Sequence, residues 1–397
     1  MKKTRIRLFV VAATLIAAGY ASLKAPIPLP PPYQTRSADN PPRLIVKPRN
    51  AEFQVPPRFH VTQYASGFTR PRYMTLGPSG EVLLTDSIVS GGRVYILLDR
   101  NRDFKAESKK VLLQNLNYPF GMAFWKGYLY VAERTRVRRY PYNRSSMTVG
   151  RAQTVIRLPY LQHGHWTRTL VFDPAGTKMY MSVGSATNYD AGEPTIRGTI
   201  TQWNPDGTGL KIFASGLRNP VGLTCEPVTK TLWAAVQERD GLGDDLVPDF
   251  VTRIRQGGFY GWPYAYIGQH EDPHHKGKRP DLVRRTIVPD MPVQAHLAVL
   301  DARFYTGTQF PSRYRGGLFV ACHGSWNRAK RVGYNVIFLP FQNGQPTGAV
   351  EEFLSGFMFD PNIKNVWGRP VGLLQLRDGS LLLSDDGGNK VWRISYS

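Results

Sequence analysis

Six times along this chain the same pattern returns: a small or proline-bearing turn, an apolar strand, a turn at Asp, Gly or Pro, and a second strand of alternating polarity. The units read PRYMTLGPSGEVLLTD from Pro71, PFGMAFWKGYLYVAE from Pro119, TRTLVFDPAGTKMYMSVG from Thr167, PVGLTCEPVTKTLWAAV from Pro220, ARFYTGTQFPSRYRGGLFVA from Ala302 and PVGLLQLRDGSLLLSDD from Pro370. The first four lie about 50 residues apart and the later ones further. Period-two alternation, as in Lys178-Met179-Tyr180-Met181, marks strands. A repeat of four-stranded size buries its faces only against its neighbours, so the pattern predicts an all-β fold, a six-bladed β-propeller over residues 58–397 as one domain. The 38 Gly and 31 Pro among 397 residues exclude a mostly helical chain, and 20 Tyr, 19 Phe and 8 Trp suit short strands. The alternating stretch Phe59–Tyr64 is placed to supply the outer strand of the last blade, beside Val391–Tyr396, and so close the ring.

The first 57 residues read differently. Lys2, Lys3, Arg5 and Arg7 precede an apolar run from Leu8 to Ala18, followed by the small residues Gly19 and Ala21. This is the pattern of a signal peptide over residues 1–21, cleaved after Ala21; the run is short for a spanning helix, and an uncleaved tether is its only route to a membrane. Residues 22–57 carry Pro26, Pro28, Pro30-Pro31-Pro32, Pro41-Pro42, Pro48 and Pro56-Pro57, and read as a semi-rigid linker. Export implies an oxidising, periplasmic or extracellular setting, yet with only Cys225 and Cys322 no disulfide framework exists; one bridge or two separate thiols both fit. Lys and Arg exceed Asp and Glu by 22. The excess is scattered through turns and strands without a helix-turn-helix, zinc-finger or RNA-recognition pattern, so nucleic acid is not the expected partner.

In a propeller the turns that open the innermost strands gather round the axis. That brings Arg72, Phe120, His165, Asn219, His296 and Arg369 toward one pocket, a set suited to a flat, anionic ligand.

The runs ASGLRNPVGL (214–223), ERDGLGDDLVPD (238–249), GGFYGWPY (257–264), HGHWTRTLVFDP (163–174), HGSWNR (323–328) and GRPVGLLQLRDGSLLLSDD (368–386) resemble, in order over residues 59–396, the quinoprotein glucose/sorbosone dehydrogenases. The resemblance implies a propeller that holds pyrroloquinoline quinone (PQQ) and Ca²⁺ and oxidises sugars, polyols or sugar aldehydes. Without a Cys-x-x-Cys-His haem attachment, the electrons would pass to an external acceptor. His165 falls at the family's general base, a role that imidazole chemistry suits; His163 reads as structural. Arg218 and Asn219 fall at cofactor contacts, with Arg218 alternatively bracing the acidic loop. Arg72 and Arg369 are implied to meet carboxylates or quinone oxygens, since guanidinium forks match carboxylates. Asp240, Gly241 and Asp245 are the calcium candidates, the first two through backbone carbonyls, in a Gly-bearing loop of the kind that offers oxygens to Ca²⁺. The chain departs from the glucose branch in three places. The loop start differs; the quinone-flanking Tyr and Trp are replaced by PVQAHLAVLDARFY (292–305), where His296 is the candidate; and His323 or Arg328 stands for a Lys. GGFYGWPY is expected to pack at a blade junction, and His270-Glu271-Asp272-Pro273-His274-His275 to be a solvated insertion rather than a zinc site. Against the enzyme stand two other readings: a non-catalytic propeller that keeps the scaffold, and a Ca²⁺-dependent propeller hydrolase such as a lactonase.

Overall fold

Neighbouring residues of one strand enter different cores, and this dictates the architecture. Leu232, Ala234 and Val236 join one apolar cluster, while Trp233 and Ala235 join the next. A strand that is apolar on both faces needs a sheet on either side, which a ring of radial sheets provides. The computed structural model, which describes residues 28–397 except 102, 159 and 160, is such a ring of six antiparallel sheets. Their innermost strands are Pro71–Leu76, Met122–Trp125, Leu170–Phe172, Asn219–Cys225, Val299–Phe304 and Pro370–Gln375, here numbered blades 1 to 6. Each begins within three residues of its expected start. Six apolar clusters fill the six junctions; Met179 and Met181 face blade 2, and Tyr180 packs toward blade 4.

The ring closes as the alternation of FHVTQY predicts. Phe59–Ser66 pairs antiparallel with Lys390–Tyr396, in a register that sets Phe59 against Tyr396 and Gln63 against Trp392. Phe120, Val221, Leu300 and Val371, in or just ahead of four inner strands, belong to one buried apolar cluster.

The Pro-rich segment is not the spacer its composition suggests. Over its described residues, 28–57, it runs along the propeller and is fastened there. The Tyr33 N–H donates to the Leu242 carbonyl at 2.8 Å and the Asn40 N–H to the Trp326 carbonyl at 2.8 Å. Arg43–Leu44 forms a parallel pair with Asn365–Val366, and Phe53 meets Phe357, Trp367 and Trp392 edge-on, with ring centroids 4.9 to 5.0 Å apart. Proline's stiffness holds here because backbone carbonyls and apolar side chains between the prolines find partners. The signal-peptide residues 1–21 lie outside the described residues. Among the described residues no helix is long and apolar enough to cross a membrane. Cys225 and Cys322 are both free, in blades 4 and 5.

Candidate functional site

The site grows from the turns ahead of the inner strands of blades 3 and 4. His165 is clamped by Ser185: its N–H donates to the Ser185 carbonyl at 3.0 Å, and its ring Nδ1 lies 2.9 Å from that carbonyl and 3.1 Å from the hydroxyl. A carbonyl can only accept, so Nδ1 carries the proton and the Nε2 lone pair is left free. Arg168 and Arg197 donate to the His165 carbonyl at 3.0 and 3.2 Å, fixing the backbone. Burial, with Arg218 as the second cause, pushes the imidazole down to about 3, so it is neutral across the physiological range. Gly184 permits the crowding beside it. A Cβ there would lie 2.3 Å from Asn219 Oδ1 and 2.7 Å from the His165 Cβ, so only glycine lets both side chains approach.

Asn219 donates to Gln237 Oε1 at 3.0 Å, and its own Oδ1 is buried without a partner among the described residues. Arg218 braces the acidic loop, as one of its two readings had it: Nη1 donates to the Glu238 carbonyl at 2.7 Å and Nη2 lies 3.4 Å from Asp240 Oδ2. His296 holds the same loop from the other side, with Nδ1 3.3 Å from Asp240 Oδ1 and Nε2 3.0 Å from the Gly243 carbonyl. Burial opposes the charge on Asp240, but the His296 hydrogen bond and Arg218 overcome it and hold the carboxyl below its ordinary range. Arg218, Gln237, Glu238, Asp240, Asp249 and His296 enclose a cavity of about 40 Å³ with Trp326 at its mouth. Burial drives Glu238 up to about 8, and its Oε1 has no partner among the described residues.

A second group stands on blades 1, 5 and 6. Asp386 takes Arg72 Nη1 on one oxygen and His323 Nε2 on the other, the latter at 2.7 Å. Burial would raise this carboxyl, but His323 and Arg72 outweigh it and keep it ionised well below the usual carboxylate range. Arg369 donates to the carbonyls of His323 at 3.1 Å and Gly324 at 3.2 Å. The guanidinium groups of Arg70 and Arg72 lie 5.2 and 5.3 Å over the Trp166 ring, which also packs on Tyr118.

The acidic loop settles which oxygens are free for a cation. From Glu238 to Asp244 the carbonyls of Glu238, Asp240, Leu242, Gly243 and Asp244 all accept hydrogen bonds. The Asp240 carbonyl accepts two, from Asn188 Nδ2 at 2.9 Å and Arg239 Nε at 3.0 Å, which uses both its lone pairs. Gly241, at φ +91°, keeps its carbonyl unbonded among the described residues. Asp245 turns away: its side chain is 61% exposed and pairs with Arg328 at 2.8 Å.

Of the sequence candidates, His165, Arg218, Asn219, Asp240, Gly241 and His296 therefore stand in one group, and Arg72, His323 and Arg369 in the second. Arg328 and Asp245 pair with each other, Arg328 also donating to the Asp244 carbonyl, while the neighbouring Asn327 Oδ1 accepts the Gly241 N–H at 2.9 Å. Sequence reasoning missed Asp386, Gln237, Glu238 and Gly184. Asp386 had a signal, since a doubled acid, Asp385-Asp386, ends the second strand of blade 6 where blade 1 has the single acid Asp86. Asp86 caps its own blade, accepting the Thr69 N–H at 3.0 Å, which leaves the extra acid of blade 6 without that task. The insertion at 270–275 is not simply solvated. Asp272 pairs with Arg239 at 2.7 Å, both side chains 2% exposed, and His275 is buried. Asp272 and His274 brace Arg239 of the loop at 238–245, whereas Glu271 accepts the Gly277 N–H and the rings of His270 and His275 meet the Ile267 and Tyr189 carbonyls. GGFYGWPY packs as expected, with Gly258–Phe259 adding a short parallel strand beside Lys211–Ser215.

Comparison with known proteins agrees with the propeller fold. The chain is 28% identical over 357 residues to an uncharacterised protein of Borreliella burgdorferi, covering 86% of this chain and 90% of that one. It is 25% identical over 406 residues to the pyrroloquinoline quinone-dependent pyranose dehydrogenase of Coprinopsis cinerea, covering 85% of this chain but spanning about half, 53%, of that protein. The holo form of that enzyme's PQQ domain superposes with a TM-score of 0.74 at 22% identity, covering 88% of this chain and 98% of the domain. The calcium structure of a family AA12 carbohydrate-active enzyme from Trichoderma reesei does so at 0.76 and 22%, covering 89% and 98%. The TrAA12-like family model matches residues 53–249 and 275–397, the inner strands of all six blades among them. The chain belongs to the TrAA12-like family.

Proposed function

We propose that this chain is an exported quinoprotein oxidoreductase that oxidises a sugar, a related polyol or a sugar aldehyde with PQQ and Ca²⁺ and passes the electrons to an external acceptor. The observation that carries the reading is the His165 ring: a half-buried, neutral imidazole, tied through Nδ1, beside a guanidinium and a carboxamide, with Nε2 and the carboxamide oxygen without partners among the described residues.

The donor set suits the implied groups. Arg72, Arg218 and Arg369 offer guanidinium edges to carboxylates, and Asn219 an amide. The Gly241 carbonyl, the Asp240 carboxylate and the unpartnered Glu238 Oε1 offer hard oxygens to a cation, whereas the Asp240 carbonyl does not. The cavity that Asp240 and Glu238 line, about 40 Å³, has room for an ion. When bound, PQQ supplies the two-electron acceptor. The chain's own residues do the rest. Nε2 of His165 accepts the proton of the substrate hydroxyl as the carbinol C–H bond breaks, and Ser185 fixes the ring through Nδ1. An imidazole depressed this far is a weak base alone; anionic carboxylates beside Arg218 would cancel its positive field and raise the basicity.

The test starts from protein whose mature N-terminus mass analysis should place at Ser22. Cofactor-free protein is titrated with PQQ and Ca²⁺ and then challenged with a panel of sugars while the quinone spectrum is followed. Saturable binding that a chelator weakens, followed by bleaching with at least one sugar, is expected. No PQQ binding would leave the non-catalytic propeller as the better reading.

A further inference from the structure

We infer that the indole of Trp326 is the surface on which the sugar ring of the substrate lies, a specificity-determining contact. The inference rests on the sugar-oxidising reading and gives it a residue. Of eight tryptophans this one alone is exposed, at 44%. Among the described residues its ring packs against no other ring, no cation lies over it, and its N–H donates to nothing. An indole left in water forgoes the apolar burial that every other tryptophan of the chain obtains, so its position calls for an occupant. It lines the same cavity as Arg218 and Asp240, whose remaining N–H groups and oxygen lone pairs can hydrogen-bond sugar hydroxyls. An apolar face beside convergent donors and acceptors is what a pyranose needs, with its C–H face to the ring and its hydroxyls to the polar groups.

The backbone that carries it is fixed on both sides. The Trp326 carbonyl accepts the Asn40 N–H at 2.8 Å, and the Asn327 side chain accepts the Gly241 N–H at 2.9 Å while donating to the Ala38 carbonyl at 2.6 Å. The N-terminal segment and the acidic loop thus fix the backbone that carries this indole before any ligand arrives, which lowers part of the ordering cost of binding.

The test uses Trp326→Ala and Trp326→Phe in protein loaded with PQQ and Ca²⁺. PQQ affinity is read by absorbance titration and D-glucose affinity by the concentration dependence of quinone bleaching. Trp326→Ala should weaken sugar affinity roughly tenfold or more, with PQQ affinity and the rate at saturating sugar nearly unchanged, and Trp326→Phe should recover most of the loss. Unchanged sugar affinity in Trp326→Ala would overturn the inference, as would a loss confined to PQQ affinity, which would put the indole on the cofactor. If the wild type takes up no PQQ, the enzyme reading falls separately; sugar titration of the same protein by tryptophan emission, with Trp326→Phe as the blank, then decides the indole, and no Trp326-dependent change sinks it.

Discussion

At the scale of the residue, His165 makes the sharpest claims. His165→Gln keeps a hydrogen-bonding side chain of similar size, so PQQ affinity should persist while the oxidation rate falls by roughly 10²–10⁴. His163→Gln, two residues away, should do far less. Its burial gives a second expectation with a definite sign. The native His165 imidazole titrates near 3 and an unfolded one near 6.5, so between these values the unfolded chain binds more protons and stability falls as pH falls. From pH 7 to pH 5 the wild type should lose about 2 kcal/mol more than His165→Gln, because only it carries this group. Urea unfolding of both proteins at the two pH values measures the difference; equal losses would mean the ring is not held neutral. His165 and Asn219 were legible because blade periodicity says which turn residues reach the axis, and Arg218 because the run GLRNP carries the family resemblance. Asp386 showed only as a doubled acid, and its role was hidden because it depends on Arg72, 314 positions earlier, and no spacing rule joins them.

The elements around the site show why composition misleads. Both the Pro-rich segment and the insertion at 270–275 read as solvent-facing, since one lacks periodicity and the other is crowded with charge. Each finds partners far along the chain: Thr35 Oγ1 accepts the Asp244 N–H at 2.7 Å, and Asp272 meets Arg239. The second contact is a buried ion pair, and breaking one side strands the other charge. Asp272→Ala should therefore cost about 3–5 kcal/mol, far above the few tenths typical of a surface loop. Replacing both partners with apolar residues should cost much less, because no charge is left uncompensated. Denaturant midpoints of the single and double variants separate the two cases, and a single-variant cost below about 0.5 kcal/mol would restore the solvated-loop reading.

For the molecule as a whole, the N-terminal region performs two separable tasks, and cutting it at two places tells them apart. Residues 28–57 fasten the loops at 241–245 and 326–331, whereas Phe59–Ser66 is the fourth strand of blade 6. Each blade leans only on its neighbours, so an open ring exposes two blade faces and a bare strand edge, surfaces that favour aggregation. Phe59 shows how much rests on the closing strand. It is 6% exposed and meets the rings of Phe310, Tyr314, Phe353 and Tyr396 at 4.8 to 5.4 Å. A chain beginning at residue 58 should thus remain a cooperatively unfolding, monomeric propeller with weakened PQQ and Ca²⁺ affinity, since its closing strand is intact and its loops are loosened. A chain beginning at residue 67 should lose the single thermal transition and associate. In full-length protein Phe59→Ala should cost about 3–5 kcal/mol, as deletion of a buried aromatic does. Calorimetry and light scattering on the two truncations provide the comparison. A sharp transition and a monomeric mass for the shorter chain would show that five complete blades and a three-stranded sixth suffice, and that the ring is held by its blade junctions without the closing strand.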